Sequence, residues 1–234
     1  MSSHSKQYTA LLPAAGIGSR MQADIPKQYL YLAGKTILET TALAFLSHPR
    51  IAQVVVVLHP DDQWFSALEI AHSGRVSVVQ GGDERADSVL AGLQTITDDW
   101  VLVHDAARPC ITHDDISTLI ETVEQTNHGG ILACQVRDTM KRGAAGKVEH
   151  TVSREQLWHA LTPQMFQVQT LRQNICDALA AGASITDEAS AMEWADHTVN
   201  LVEGRSDNIK VTCPEDLALA RWYLSQQQNN EVVG

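Results

Sequence analysis

The sequence predicts an α/β fold with a mainly parallel sheet. Short β-branched apolar runs alternate with helix-length amphipathic segments through the first half of the chain. The run Ile51–Leu58 is rich in valine, as is typical of a strand buried on both faces. Such alternation indicates right-handed crossovers between parallel strands, and ligands of these sheets bind at the carboxyl ends of the strands.

The individual elements follow from the same patterns. Strands are predicted at Tyr8–Leu12, Ile51–Leu58, Val76–Val79, Trp100–His104, Gly130–Cys134 and near Thr198–Val202. Helices are predicted near Ile37–Ser47, Asp62–Ala71, Arg85–Thr97, Asp114–Thr126, Val168–Ala181 and Asp187–Ala195, and one more after Cys213. Thr36 and Glu39 have the spacing of a capping box, which marks the start of the first helix. The residues from Gln226 onward are expected to fray.

The pattern changes over about residues 137–157, where the chain is polar and contains glycine. Gly143-Ala144-Ala145-Gly146 is typical of a turn between two extended arms. A protruding hairpin cannot bury its own faces, so we expect this β-arm to pair two copies of the chain in a homodimer. A mobile surface loop is the alternative. We expect residues 1–234 to form a single domain.

Composition limits the partners. A net charge of −11 argues against nonspecific binding to nucleic acid or to an anionic membrane. The chain has no run of about 18 apolar residues, and its polar start lacks the plan of a signal peptide, so we expect a cytoplasmic protein. The cysteines form no C-x-x-C pair and the histidines show no metal-binding spacing, so neither a zinc site nor a redox motif is expected.

The first candidate site follows the first predicted strand. Gly16 and Gly18 allow backbone N–H groups to approach a polyanion closely, and Arg20 and Lys27 can supply positive charge for a triphosphate. Met21 stands where a dinucleotide-binding fingerprint needs its third glycine, and the GK[ST] ending of a P-loop is absent. An ordinary strand-to-helix turn is the alternative.

A second glycine pair precedes the helix predicted at Arg85. Gly81 and Gly82 leave backbone N–H groups at the start of that helix, where they can bind an anion. The side chains of Asp83, Arg85 and Ser88 could recognise the polar edges of a base or sugar. A charged first turn that favours the helix dipole is an equally good interpretation.

The third candidate site is His104-Asp105-Ala106-Ala107-Arg108-Pro109. Asp105, at the carboxyl end of a strand, is suited to bind Mg²⁺ that bridges phosphates, and Arg108 can bind a second anion. A structural ion pair between Asp105 and Arg108 is the alternative, and His104 is expected to be packed. Several cations fall at predicted loop mouths: Arg20, Lys27, Arg85, Arg108, Lys141, Arg154 and Lys210.

Together these stretches resemble the 2-C-methyl-D-erythritol 4-phosphate cytidylyltransferase family of the non-mevalonate isoprenoid pathway, over nearly the whole chain. The motifs that carry the resemblance are Pro13-Ala14-Ala15-Gly16 with Gly18, Arg20 and Met21, Pro26-Lys27-Gln28, Gly82 to Val89, His104 to Pro109, Asp138-Thr139-Met140-Lys141, Leu161-Thr162-Pro163-Gln164, Thr186-Asp187-Glu188 and Asp207-Asn208-Ile209-Lys210. The resemblance implies a Rossmann-like nucleotidyltransferase domain, a homodimer formed through the β-arm, CTP and methylerythritol phosphate as substrates, and Mg²⁺ as cofactor.

The resemblance also implies roles for individual residues. The catalytic cations that it implies are Arg20, Lys27 and Lys210. The nucleotide-binding residues that it implies are Pro13, Ala14, Ala15, Gly16, Gly82, Asp83 and Ser88. The residues implied for methylerythritol phosphate are Asp105, Arg108, Thr139, Arg154 and Thr162. Asp105 would also hold Mg²⁺, and Arg154 would arrive from the partner's arm.

Two other functions stay open. A cytidylyltransferase for another polyol phosphate, such as ribitol 5-phosphate, would share the fold and differ only in the alcohol pocket. Arg154, Thr162 and the Asp138-Thr139-Met140-Lys141 stretch favour methylerythritol phosphate. A non-catalytic nucleotide-binding module is the other possibility, although such a module has little need for so many convergent cations.

Overall fold

A computed structural model describes residues 6–16 and 25–233 of the chain. The strands in this part are β1 (Tyr8–Pro13), β2 (Tyr31–Leu32), β3 (Lys35–Thr36), β4 (Ile51–Leu58), β5 (Val76–Gln80), β6 (Trp100–Val103), β7 (Gly130–Gln135), β8 (Met140–Ala144), β9 (Lys147–Val152), β10 (Trp158–Gln167) and β11 (Asn200–Glu203). The α-helices are α1 (Ile37–Leu46), α2 (Arg85–Leu93), α3 (His113–Thr126), α4 (Val168–Ala180), α5 (Glu188–Trp194) and α6 (Pro214–Val233).

A seven-stranded sheet in the order β11-β7-β10-β6-β1-β4-β5 forms the centre of the described chain. Its neighbouring strands are parallel except that β10 runs antiparallel to both β6 and β7. The prediction of a mainly parallel α/β sheet is therefore confirmed. The β10 strand was not predicted from the sequence, because it contains Pro163, which cannot donate to a strand ladder. The pairing of β10 with β7 changes register there, between Ala160 and Gln164.

Helices cover both faces of the sheet. Along β4, Val54 and Val56 pack on one side with α1 and α3, whereas Val55 and Val57 pack on the other with α2, α4 and α5. All four valines are buried, which confirms that this strand is covered on both faces. None of the helices within residues 6–16 and 25–233 combines the length and the hydropathy needed to cross a membrane.

The predicted start of α1 is confirmed in detail. Glu39 N donates to Thr36 Oγ1 at 3.1 Å, and Thr36 N donates in return to Glu39 Oε2 at 3.0 Å. Two backbone donors at the helix start are thereby satisfied. At the other end of the chain, the expected fraying from Gln226 is wrong, because α6 continues to Val233 and Gln227 Nε2 donates to the Cys110 carbonyl oxygen at 2.9 Å.

The helix predicted over Asp62–Ala71 is also wrong. The segment forms two short 3₁₀ turns, Phe65–Ala67 and Glu69–His72. The Asp62 carboxylate accepts hydrogen bonds from the backbone N–H groups of Trp64 at 3.1 Å and Phe65 at 2.9 Å. These contacts resemble those of a helix N-cap, but the backbone becomes extended at Leu68, with φ of −81° and ψ of 147°, and this residue separates the two turns and interrupts a continuous helix.

Strands β8 and β9 form a separate antiparallel sheet within the region predicted as the β-arm. The turn between them contains Ala145 and Gly146, with φ of 49° and 75°. Positive φ at both positions suits the turns that match the twist of a hairpin. Most of its residues are exposed, including Val148. The role of this hairpin in dimerisation stays a prediction.

A buried histidine directly after β6 ties this strand to β10. His104 Nε2 lies 3.0 Å from the Arg108 carbonyl oxygen, which can only accept, so Nε2 carries the proton. His104 Nδ1 therefore accepts the hydroxyl hydrogen of Thr162, at 3.0 Å. Thr162 Oγ1 in turn accepts the backbone N–H of Asp105 at 3.1 Å. Burial lowers the pKa of His104 to about 4, which keeps the ring neutral in this chain of hydrogen bonds.

This histidine should make the protein sensitive to acid. Between its ordinary pKa of 6.5 and its folded value of about 4, the unfolded chain binds one more proton than the folded chain. The free energy of unfolding therefore falls as the pH falls through that window. Denaturant unfolding measured at about pH 7 and at about pH 4.5 gives the loss of unfolding free energy on acidification. This loss should be about 2 kcal/mol smaller for His104→Gln than for wild type. Exposed His128 supplies the control substitution, and equal acid sensitivity of His104→Gln and wild type would contradict the assignment.

The turn before β7 leaves no room for a side chain at Gly129. A Cβ atom there would lie 2.1 Å from Cδ1 of the buried Phe166 ring and 3.0 Å from the Met165 carbonyl oxygen. Gly129→Ala should lower the free energy of unfolding by about 1–3 kcal/mol, because neither the ring nor the backbone can move aside. Urea unfolding measures this. Gly74→Ala, where nothing lies within 4 Å of the added atom, should change stability by less than about 0.5 kcal/mol.

Candidate active site

A cavity of about 550 Å³ opens at the carboxyl ends of β1, β4, β5 and β6. The loops that follow these strands form its wall through residues 13–16, 59–61, 81–85 and 105–107. Lys27, Gln28, Ser88 and Lys210 complete the lining. The cavity therefore lies where an open α/β sheet is expected to bind its ligand.

The loop after β1 is held in place by hydrogen bonds to its backbone. Ala14 N donates to the Val57 carbonyl oxygen at 2.8 Å. The buried side chain of Gln28 donates from Nε2 to the Ala14 carbonyl oxygen at 2.7 Å. Lys27 Nζ lies 3.1 Å from the Val211 carbonyl oxygen, close to the segment that carries Lys210. Gly18, Arg20 and Met21 lie outside the described residues.

The second glycine pair packs tightly against the start of α2. A Cβ atom on Gly81 would lie 2.8 Å from Ala15 Cβ and 2.6 Å from Ser88 Oγ. A Cβ atom on Gly82 would lie 2.4 Å from Asp87 Cβ. Gly82 N also donates to Ser88 Oγ at 3.3 Å. This part of the cavity wall is therefore backbone, because the packing leaves no space for side chains on either glycine.

Asp105 lies at the centre of the charged groups. Its Oδ2 atom is 3.0 Å from Lys210 Nζ and 3.3 Å from Arg108 Nε. Its Oδ1 atom is 3.4 Å from Arg85 Nη2. These residues come from the loop after β6, the start of α2 and the segment before α6. The fold thus gathers three cations around one carboxylate.

The electrostatics of Asp105 follow from these neighbours. Burial by itself would raise the pKa of Asp105, but the charges of Arg85, Lys210 and Arg108 outweigh burial and hold the pKa well below its usual range. The carboxylate is therefore ionised at physiological pH.

A second buried carboxylate reaches the cluster from α5. Glu188 forms a two-pronged ion pair with Arg85, with Nη1 to Oε1 at 2.7 Å and Nη2 to Oε2 at 3.1 Å. Burial disfavours the charged form of Arg85, but the attraction of Glu188 outweighs burial and raises the pKa of Arg85. Asp187 also attracts Arg85, so the cluster contains charges of both signs. Lys27, Arg85 and Lys210 are cations that line the cavity, where they can contact an anionic ligand.

Four of the predicted substrate residues do not line the cavity. Arg108 and Thr162 are largely buried behind it, where Arg108 Nη1 donates to the Asn208 carbonyl oxygen at 2.8 Å. Thr139 and Arg154 are exposed and flank β8 and β9. The Arg154 guanidinium donates to the Arg137 carbonyl oxygen. The other predicted residues within the described part of the chain line the cavity: Pro13, Ala14, Ala15, Gly16, Lys27, Gly82, Asp83, Ser88, Asp105 and Lys210.

The assignment of site residues from the sequence omitted Arg85, Gln28 and Glu188. Arg85 was considered as a cation at a loop mouth and as a contact to a base or sugar, but its contact with Asp105 was not predicted. Glu188 lies in the Thr186-Asp187-Glu188 motif, which was a signal without an assigned role. A charged residue whose partner lies far away in the chain cannot be paired with it by spacing alone.

The contacts of Asp105 bear on the metal site predicted there. Mg²⁺ prefers several oxygen ligands, but both carboxylate oxygens of Asp105 already lie within 3.0–3.4 Å of cationic side chains. Within residues 6–16 and 25–233, no group of three or more His, Cys, Asp or Glu side chains is placed to hold a metal ion. These residues therefore do not fit a metal held by the protein alone, and the assignment of Asp105 as a ligand stays a prediction.

Known proteins of one family are similar to this chain over most of its length. A family model described as 2-C-methyl-D-erythritol 4-phosphate cytidylyltransferase matches residues 8–226. The protein of that name from Pseudoalteromonas atlantica is 59% identical over 222 residues, which cover 94% of this chain and 96% of that protein. The protein of the same name from Aeromonas hydrophila is 61% identical over 220 residues, which cover 94% of this chain and 90% of that protein.

A solved structure of a protein with the same name has a similar fold. The crystal structure of 2-C-methyl-D-erythritol 4-phosphate cytidylyltransferase from Francisella tularensis has a TM-score of 0.80 with this chain, at 35% identity. The match covers 93% of this chain and 100% of that one. The resemblance noted from the motifs is thus confirmed in sequence and in fold. The chain belongs to the 2-C-methyl-D-erythritol 4-phosphate cytidylyltransferase family.

Proposed function

We propose that this chain transfers the cytidylyl group of CTP to 2-C-methyl-D-erythritol 4-phosphate in the synthesis of isoprenoid precursors. An oxygen of the acceptor phosphate attacks the α-phosphorus of CTP. The bond from that phosphorus to the bridging oxygen breaks, and pyrophosphate leaves as CDP-methylerythritol forms. The observation that carries the proposal is the convergence of Arg85, Arg108 and Lys210 on Asp105, at a cavity that glycine-containing loops also line.

The main barrier to this reaction is electrostatic, because two anions must meet. Lys27 and Lys210 line the same cavity and are proposed to stabilise the triphosphate and the pentavalent transition state. Arg20 is proposed for the same role, although it lies outside the described residues. A preorganised donor in such a site contributes about 3–4 kcal/mol of transition-state stabilisation. No general base is needed, because the attacking phosphate is already ionised.

The cytidine is proposed to lie against the loops after β1 and β5. Ala14, Ala15, Gly82, Asp83 and Ser88 would contact the base and the ribose. The close packing at Gly81 and Gly82 supports this placement, because it leaves a cavity wall of backbone without side chains at these two positions. We propose that this wall favours a pyrimidine over a larger purine, as in the family.

The acceptor is proposed to lie beside the charged cluster. Asp105 and Lys210 line this part of the cavity, and Arg108 supports them from behind. Thr162 would act through Asp105, because its hydroxyl oxygen accepts the Asp105 backbone N–H and its hydroxyl hydrogen goes to His104.

Mg²⁺ is proposed to arrive with CTP as part of the substrate, bound mainly by phosphate oxygens, as is usual for this ion. This arrangement agrees with a protein site in which Asp105 is already surrounded by cations. A location in the cytoplasm stays a prediction from the sequence.

The activity can be tested by measuring pyrophosphate release from CTP and Mg²⁺. We expect release with methylerythritol phosphate and not with ribitol 5-phosphate. Lys27→Ala should lower kcat at least about 100-fold, because it removes a cation from the transition state. Lys35→Ala is the matched control. Lys35 does not line the cavity and pairs with Glu69 at 3.2 Å, so this substitution should leave kcat unchanged. Release with ribitol 5-phosphate alone would keep the fold and the chemistry but contradict the proposed acceptor.

A homodimer is proposed to complete the acceptor site. Thr139 and Arg154 flank the β8–β9 hairpin and do not line the cavity of their own chain. The exposed hairpin is therefore suited to bring Arg154 to the cavity of a second copy.

Mixed dimers test this exchange. Lys27→Ala and Arg154→Ala homodimers should each be inactive, whereas a heterodimer of the two should recover about half of the wild-type activity, because one of two sites is intact. Differently tagged chains allow the heterodimer to be isolated before pyrophosphate release is measured. If confirmed heterodimers have no more activity than the parent homodimers, Arg154 acts within its own chain.

A further inference from the structure

Glu188 is a buried carboxylate that the reaction described above does not use. It is the first residue of α5 and is only 1% exposed. Both of its oxygens accept hydrogen bonds from Arg85, at 2.7 Å and 3.1 Å. Two parallel contacts between a guanidinium and a carboxylate fix the orientation of the arginine more strictly than a single contact does.

Arg85 connects Glu188 to the centre of the charged cluster. The same Nη2 atom that contacts Glu188 lies 3.4 Å from Asp105 Oδ1. Asp105 Oδ2 is then the atom that contacts Lys210 Nζ at 3.0 Å. The order of contacts is therefore Glu188, Arg85, Asp105 and Lys210.

The two residues that flank Glu188 are held by Gln164 of strand β10. Gln164 Nε2 donates to Asp187 Oδ2 at 2.9 Å, and Gln164 Oε1 accepts the Ala189 backbone N–H at 2.9 Å. Gln164 is 1% exposed, and its contact with Ala189 is buried, whereas its contact with Asp187 is partly buried. Residues on each side of Glu188 are thus attached to the sheet, which gives the carboxylate a rigid position.

We propose that Glu188 is a positioning residue, which holds Arg85 at Oδ1 of Asp105 and thereby keeps Oδ2 for the contacts with Lys210 and Arg108. This inference rests on the proposed function, in which Lys210 stabilises the reacting phosphates. Glu188 does not line the cavity and acts only through Arg85.

The consequence of losing this carboxylate follows from the charges. In Glu188→Gln, Arg85 keeps its charge and loses its anionic partner, while the new amide places N–H donors against the guanidinium. Asp105 is the nearest remaining carboxylate in contact with Arg85. Arg85 is then expected to move further onto Asp105 and to displace Lys210 from its place at Oδ2.

A double-mutant cycle separates this role from a merely structural one. Glu188→Gln should lower kcat by about tenfold or more while the KM for CTP changes less than about twofold, because displacement of Lys210 misplaces a transition-state contact. In an Arg85→Gln background, the same substitution should lower kcat less than about twofold further. Exposed Glu193, on the same helix, supplies the control: Glu193→Gln should keep wild-type kcat and KM.

The outcomes are distinct. Wild-type kcat in Glu188→Gln, or an equal loss with and without Arg85, would overturn the inference. If Glu188→Gln alone does not fold, the comparison is between Arg85→Gln and the double variant, which removes both buried charges together. Equal kcat in these two variants supports the coupling, and a lower kcat in the double variant overturns it.

A crystal structure of Glu188→Gln makes the test independent of turnover. We expect Arg85 closer to Asp105 and Lys210 Nζ no longer in hydrogen-bond contact with Oδ2. Unchanged positions of Arg85 and Lys210 would overturn the inference even if the enzyme is active. Absence of turnover by wild-type protein would instead count against the proposed function and leave this structural result to stand by itself.

Discussion

The carboxylate of Asp105 is the group on which the charged half of the site depends. Arg85, Arg108 and Lys210 all lie within 3.4 Å of it, and burial by itself would disfavour the charge of Arg85. Its negative charge allows these cations to be gathered before any substrate arrives. Lys27, Arg85 and Lys210 line the cavity, so these cations are in place for phosphates and require little rearrangement when the phosphates bind.

The scaffold holds this carboxylate from two sides. Asp105 follows the buried strand β6, and its backbone N–H is bound by Thr162 of β10. The same strand carries Gln164, which anchors the start of α5. The one antiparallel strand of the central sheet therefore positions both ends of the charged cluster, although it contributes little to the cavity surface. Buried and satisfied polar groups of this kind make a site rigid.

Much of the architecture follows from local patterns. The valines of β4 predicted a strand covered on both faces, and Thr36 and Glu39 predicted the start of α1, because these signals depend only on neighbours in the chain. Prediction was wrong over Asp62–Ala71, where the extended backbone of Leu68 divides the segment into two short turns. Strand β10 was missed because Pro163 masks it, and its place between β6 and β7 depends on pairing with distant segments.

Local patterns in the chain specify the class of fold, the glycine-containing loops at the ends of its strands and the supply of cations near them. The meeting of particular charges depends on the folded protein. Arg85 and Glu188 are 103 positions apart, and Asp105 and Lys210 come from separate loops, so no spacing rule could pair them. The folded structure also places Thr162 behind Asp105, where it is buried, and leaves Arg154 exposed outside the cavity of its own chain. The physical reason is that Coulombic and hydrogen-bond contacts depend on distance in space, which is set by strand order and burial.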